Sequence, residues 1–262
     1  MLTTIGPSVA ATELNLTALA GLMHDLYRQQ LERAPDPYLC EHAEPARVAH
    51  QARVIRWYAP FLPATGKVLD VGCAHAPDAC TLRAAFGDRF DLHGCDFPDA
   101  GTYRVFHEFA DLAYSQLHEN LALPYPDESF DCVVASGMLE HAAMDYEMLK
   151  ELYRILKYDG RLIVTYLPNA LSYREMWLRN VRRAGFHRRV YGRGEANRLL
   201  KRAGFYPIAP MRYQSFLWEK RLERVLEPGP MIDTLAKLMK VVFPIHVVSS
   251  TLCGVALKVH SM

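Results

Sequence analysis

The chain has 262 residues, half of them hydrophobic and 23% charged, with a formal net charge of +1. That length supports one large domain with a sizeable core, and the composition is that of an ordinary globular protein. The near-neutral balance excludes a molecule built throughout as a polyanion binder, so any strong attraction must come from a local patch.

The cysteines Cys40, Cys73, Cys80, Cys95, Cys132 and Cys253 form no CxxC pair and no zinc-ligand spacing. They read as small reduced thiols, with no metal site expected. Residues 1–31 lack a basic start followed by an apolar core, and no apolar run reaches the roughly 18–20 residues of a membrane span. A cytoplasmic location is expected.

Residues 14–31 place Leu19, Leu22, Met23 and Leu26 at helical spacing with Tyr27 alongside, which predicts an amphipathic helix. Closely spaced Pro35 and Pro37 break it, because proline lacks the amide that a helix needs. A second helix is predicted over 45–59 and ends at Pro60. Strand and helix then alternate: strand 67–71, helix 77–86, strand 90–95. Residues 97–122 should hold a helix and a third strand, and 102–111 fits either. A strand follows over 130–136, then a helix over 144–156 stopped by Asp159-Gly160, and a strand over 161–167. Helix 195–203, strand 205–208 and an edge strand over 251–259 complete the series. Strands separated by helices imply a mostly parallel sheet covered on both faces. Residues 171–193 and 211–250 read as insertions that cap it.

The first strand ends Val68-Leu69-Asp70-Val71-Gly72-Cys73, and the second ends in Asp96. A parallel sheet binds its ligand outside the carboxyl ends of its strands, where strand order reverses. A phosphate ligand wants bare glycine amides before a helix. Here the loop reads Ala74-His75-Ala76-Pro77 and carries Asp70, whose charge repels a polyphosphate. Asp70 suits a cationic or zwitterionic ligand, or else caps the turn or the next helix. Asp96 is placed to accept from ribose hydroxyls, a role shared by dinucleotide sheets, or is a solvated strand-end acid.

With these residues, Leu123-Pro124-Tyr125-Pro126-Asp127-Glu128-Ser129-Phe130-Asp131 leads into Cys132–Ser136 and Gly137-Met138-Leu139-Glu140-His141. Together they resemble the class I S-adenosylmethionine-dependent methyltransferases, in the branch that includes quinone and natural-product enzymes. The segments 149–169 and 191–205 fit the same pattern, so the resemblance covers about residues 48–210. It implies a Rossmann-like, mostly parallel seven-stranded sheet over 63–262, with an N-terminal helical segment, 1–62, contributing to the acceptor pocket. It implies S-adenosylmethionine as cofactor and a small-molecule acceptor. Asp70, Gly72, Cys73 and Ala74 would pass under the methionine part, Asp96 and Phe97 would hold the ribose side, and Ser136, Gly137 and Met138 would line the methionine end. Asp111 with Leu112 is the candidate for the acid that meets the adenine amino group, and Glu119 is the alternative. Ala74 and Ala76 stand where the family usually has glycine, so either the loop avoids left-handed angles or cofactor affinity is reduced.

A sulfonium is already an activated methyl donor, so alignment of nucleophile, methyl and sulfur is the main task. His141 is a candidate base, or a structural hydrogen-bonding residue, and Tyr166, Asn169 and Tyr173 are candidate acceptor contacts. Oxygen is the expected methylated atom on family frequency. Carbon or nitrogen methylation of a lipid-like or quinone-like acceptor at a membrane surface is the alternative. The arginines Arg174, Arg179, Arg182, Arg183, Arg188, Arg189 and Arg193 suit an anionic acceptor or lipid head group, or form a solvated helix face. A dehydrogenase lacks its phosphate-binding glycines here. Nucleic acid is disfavoured by Ser136-Gly137-Met138-Leu139 in place of an Asp/Asn-Pro-Pro-aromatic string and by the neutral charge. A non-catalytic scaffold on the same fold is the remaining class.

Overall fold

The computed structural model describes residues 14–118, 122–172, 189–214 and 251–259. Helices α1 (Leu16–Arg33), α2 (Pro37–His42) and α3 (Pro45–Tyr58) precede strand β1 (Gly66–Val71). Then come α4 (Pro77–Phe86), β2 (Phe90–Asp96), α5 (Arg104–Ala110), β3 (Ala113–Gln116), β4 (Phe130–Ser136), α6 (Asp145–Ile155) and β5 (Leu156–Pro168). Helix α7 (Arg193–Arg202), β6 (Phe205–Tyr213) and β7 (Thr251–Lys258) finish the chain.

The strands form one seven-stranded sheet in the order β3-β2-β1-β4-β5-β7-β6. β1 to β5 run parallel, and β7 pairs antiparallel with β5 and β6. Strand order reverses between β1 and β4, and that fixes the crevice at their carboxyl ends. Alternate residues of each strand feed two cores. Val68, Leu92, Cys132, Val134 and Ile163 pack with α1, α3, α4 and α5 on one face. Leu69, Val71, Val133, Leu162 and Val164 pack with α6 and α7 on the other.

Three expectations change, and a fourth gains detail. As expected, α1 ends at Arg33 ahead of the prolines; Pro37 then opens α2, with Asp36 accepting from Tyr38 N at 2.8 Å as its N-cap, a position where proline's missing amide is harmless. The helix expected to run to 156 ends at Ile155, and Leu156 already pairs with Phe130. Asp159, at φ +61°, and Gly160 absorb the register shift before Arg161 pairs with Cys132 instead of stopping a helix. The segment 251–259 is not an edge strand, because β7 lies between β5 and β6. β6 runs on to Tyr213 through Pro207 and Pro210, which an edge strand tolerates. Most of the expected caps, including Tyr173 and Arg174 through Arg188, lie outside the described residues.

The N-terminal helices share the core of the sheet. Leu19, Met23, Leu26 and Tyr27 of α1 are buried in the same cluster as Val68, Ala76 and Phe106. Gln30 of α1 donates to Thr102 O and accepts from Val105 N, each at 3.1 Å, and so clamps the start of α5.

Candidate functional site

β1 ends in a tight turn. Gly72 has φ +68° and donates to Cys95 O at 2.8 Å, and a Cβ there would lie 2.8 Å from Met138 Cβ. Only glycine allows this approach of the β1 and β4 turns. Ala74 (φ +46°) and Ala76 (φ +52°) both take the left-handed conformation. The loop therefore takes the left-handed angles that favour glycine despite its alanines, at a cost of roughly 1 kcal/mol per residue. Replacing Ala76 by glycine should raise stability by up to about 1 kcal/mol, less the entropy that glycine adds to the unfolded chain. Chemical denaturation of Ala76→Gly measures it.

Asp96 holds this loop. Its Oδ2 accepts from Ala74 N and its Oδ1 from Phe97 N, each at 2.7 Å. A carboxylate has about four acceptor positions, so two remain for a diol. Asp96 is half-buried, and Phe97 beside it exposes 48% of its surface, an unusual amount for a phenylalanine. The site thus offers an acid with open acceptor positions next to an exposed aromatic face, a pairing that would suit an adenosyl group. Ser136 ends β4 and Gly137 follows it at the same level, and the Ser136 hydroxyl hydrogen-bonds Thr165 Oγ1 at 2.6 Å. The Cys73 side chain is buried, so only its backbone is available to a ligand.

Asp70 points inward. It is 4% exposed, and the first turn of α4 at Ala79 lies beside its carboxylate. Asp70 is therefore buried against the start of α4 and does not face the crevice directly. Asp78 lies beside it, 2% exposed, accepting from the Tyr58 hydroxyl at 2.7 Å. Burial and mutual repulsion push the Asp70 carboxyl well above the usual range, and burial raises that of Asp78. The sequence reading missed Asp78. Its position, eight residues after the strand-end acid on a helix's first turn, carries no periodic signal.

The adenine assignment needs correction. Asp111 precedes β3 and caps the C-terminus of α5 with its side chain 95% exposed, 3.9 Å from Arg83. That is the amino end of β3, opposite the crevice, and Leu112 shares it while packing towards Gly94. Glu119 lies outside the described residues.

A second wall comes from the N-terminal helices. His75, 1% exposed within the loop, is hydrogen-bonded through Nε2 to the Tyr27 hydroxyl at 2.7 Å. Its ring meets those of Tyr38, His42, Tyr103 and Phe106 at 5.1–6.0 Å. His107 Nε2 donates to Ala74 O at 2.9 Å. Burial holds His75 well below the ordinary imidazole value, with His42 and His107 adding repulsion. A base held low when folded binds fewer protons than when unfolded. Its stabilising effect is complete above about pH 6.5 and is lost as pH falls below it. Melting temperatures should therefore fall less steeply below pH 6.5 in His75→Gln than in the parent. Asp70 and Asp78 titrate with the opposite sign in both proteins, so the difference between the two curves isolates His75.

Tyr166 sits at a bulge near the carboxyl end of β5 with φ +57°. Its amide donates to Gln214 Oε1 at 2.7 Å, and its Cβ lies against Gly137. A bulky residue held at such an angle costs on the order of 1–3 kcal/mol, and such strain clusters at functional sites. Burial and Asp78 raise its phenol well above the ordinary value, so it is a donor at neutral pH and not a base. His141 is 55% exposed at the side chain, 4.0 Å from the buried Glu140. Asn169 is buried and accepts from Leu171 N at 3.1 Å. Tyr173 lies outside the described residues. Of the arginine cluster, Arg189 pairs with Asp145 at 2.5 Å and Arg193 lies over Tyr213 at 5.8 Å.

A family model described as a methyltransferase domain matches residues 42–209. The demethylmenaquinone methyltransferase of Anoxybacillus flavithermus is 30% identical over 118 residues, 42% of this chain and 49% of that protein. The chain thus matches about half the length of such curated relatives. An S-adenosylmethionine-dependent methyltransferase from Thermotoga maritima, described as a possible histamine N-methyltransferase, superposes with TM-score 0.61 at 18% identity. It covers 89% of this chain and 99% of that one. Phosphoethanolamine N-methyltransferase 2 of Haemonchus contortus, solved with S-adenosylmethionine, gives 0.55 at 18% identity over 80% of this chain and 52% of that one. At those identities the two structures speak for the fold alone.

Proposed function

The chain belongs to the methyltransferase-domain family, as a class I S-adenosylmethionine-dependent enzyme, and from that premise we propose that it methylates a small-molecule acceptor at a hydroxyl by in-line displacement. The cofactor supplies an activated methyl group on a sulfonium. Asp96 accepts from the ribose hydroxyls while its other contacts hold Ala74 and Phe97 in place. The backbone of Gly72 to Ala76 and the Ser136–Met138 turn shape the methionine end.

The observation that carries the acceptor side is Tyr166, held in a strained conformation against Gly137. Its phenol, kept neutral by burial, orients the acceptor by donating to its oxygen. His141, exposed after Met138 in the same turn, is the candidate to take the acceptor's proton. Tyr173 stands as a further acceptor contact, and the 174–193 arginines as the feature that would favour an anionic acceptor.

The curated relatives favour a second reading, a quinol-like acceptor reached at a membrane surface. Among the described residues no helix is long and apolar enough to cross a membrane. Incubation with methyl-13C-labelled S-adenosylmethionine and a panel of phenols, hydroxy acids and hydroquinones separates the readings. An O-methyl carbon signal in the product supports the first. A ring C-methyl signal replaces it with the second. In Tyr166→Phe, kcat for the active acceptor should fall about tenfold, the scale of one lost hydrogen bond, with cofactor affinity unchanged.

A further inference from the structure

The buried face of α1 is apolar through Leu19, Met23 and Leu26, then carries two polar side chains three residues apart, Tyr27 and Gln30. Residues at that spacing lie side by side on a helix, and buried polar groups persist where they find partners. Both of these partners lead to the loop after β1. The Tyr27 hydroxyl bonds His75 Nε2 in the loop at 2.7 Å. Gln30 holds Thr102 O and Val105 N at the start of α5, each at 3.1 Å. The same helix α5 carries His107, whose Nε2 donates to Ala74 O at 2.9 Å. One turn of α1 thus reaches the loop twice, directly at His75 and through α5 at Ala74.

The loop needs such bracing. His75 stands between two alanines in the left-handed conformation, and backbone of that kind persists only where its surroundings over-determine it. Asp96 fixes Ala74 N, and Ala76 N donates to Cys73 O at 2.6 Å. Among the described residues His75 Nδ1 has no hydrogen-bond partner, so the Tyr27 hydroxyl is what orients the imidazole. The Tyr27 ring also packs edge-on against Phe106, with centroids 5.1 Å apart. Removing the hydroxyl alone keeps that packing and releases the loop at His75.

We propose that Tyr27 is a positioning residue for the cofactor: through His75 it holds the loop from Gly72 to Ala76 in the shape that receives the methionine part. The proposal rests on the S-adenosylmethionine-dependent reading, and it makes α1 a support of the cofactor site as well as of the acceptor pocket. Its effect is one-sided. Asp96 and Phe97 stand at the end of β2 with anchors of their own, Phe97 N on Asp96 Oδ1 and Leu117 N on Asp96 O, each at 2.7 Å. Neither bond involves α1, so the ribose side keeps its shape when the Tyr27 hydroxyl is removed.

Calorimetry on the full chain compares S-adenosylhomocysteine with 5′-methylthioadenosine, which shares its adenosine and thioether sulfur and lacks the amino-acid part. In Tyr27→Phe the Kd for S-adenosylhomocysteine should rise about tenfold, the scale of one lost hydrogen bond. The Kd for methylthioadenosine should stay within about twofold of the parent. A general loosening of the fold weakens both ligands alike, so equal losses overturn the proposal, as does an unchanged affinity for S-adenosylhomocysteine. A double-mutant cycle with His75→Phe tests the route using that ligand alone. If Tyr27 acts through His75, removing the hydroxyl in the His75→Phe protein changes Kd less than about twofold. Fully additive losses overturn the proposal. Each of these failures leaves the methyltransferase reading intact, whereas a parent protein that binds neither S-adenosylmethionine nor S-adenosylhomocysteine at millimolar concentration overturns both.

Discussion

Asp96→Ala should weaken S-adenosylmethionine binding on the order of 100-fold. The carboxylate does two things at once. It fixes the loop through Ala74 N and Phe97 N at 2.7 Å, and in the proposed function its outward positions take the ribose hydroxyls. Hydrogen bonds to a charged group contribute about 1.5–3 kcal/mol each, and a net loss of about 2.7 kcal/mol is a hundredfold in Kd. The loss should exceed that of a ribose contact alone, because the left-handed Ala74 loses its anchor. Asp96→Asn keeps one acceptor oxygen and should fall between the two. Calorimetry measures both variants, and an affinity within about threefold of the parent would show that the ribose assignment is wrong.

Phe106→Ala should cost about 3–5 kcal/mol of stability, the usual range for a buried phenylalanine. The residue is fully buried on α5, with its ring 5.1 Å from both Tyr27 and His75. It is the packing centre between the N-terminal helix α1 and the cofactor loop. A native domain is stable by only about 5–15 kcal/mol, so the melting temperature should fall on the order of 10 °C. Cofactor binding should weaken as well, since the cavity lies under His75. Denaturant unfolding with tryptophan fluorescence checks the first effect. A loss below about 1 kcal/mol would mean that the helices and the loop do not share one core.

The βα alternation was legible because each strand is a short apolar run closed by Gly, Pro or an acid. The helix over 77–86 and the strand over 130–136 have the boundaries read from the sequence. The order β5-β7-β6 was not legible, because nothing local to Thr251–Lys258 says which neighbours it will pair with. The third strand was hidden for a different reason. Ala113-Tyr114-Ser115-Gln116 is four residues long and polar on one face, too short for a period to show. Choosing Asp111 as the adenine contact followed from that, since without the strand its two ends could not be told apart. Asp96 was readable from its place at a strand end. Asp78, His75 and Tyr27 were not, because contacts across 48 residues such as Tyr27 to His75 are set by how α1 docks. The alanines at 74 and 76 were visible as a departure, but only the backbone showed that they take left-handed angles.

The measurement that bears most directly on this account is a calorimetric titration of the full chain with S-adenosylmethionine at neutral pH. One-to-one binding that saturates well below millimolar concentration is the predicted result. No heat of binding at millimolar cofactor, from a protein shown to be folded, would contradict it.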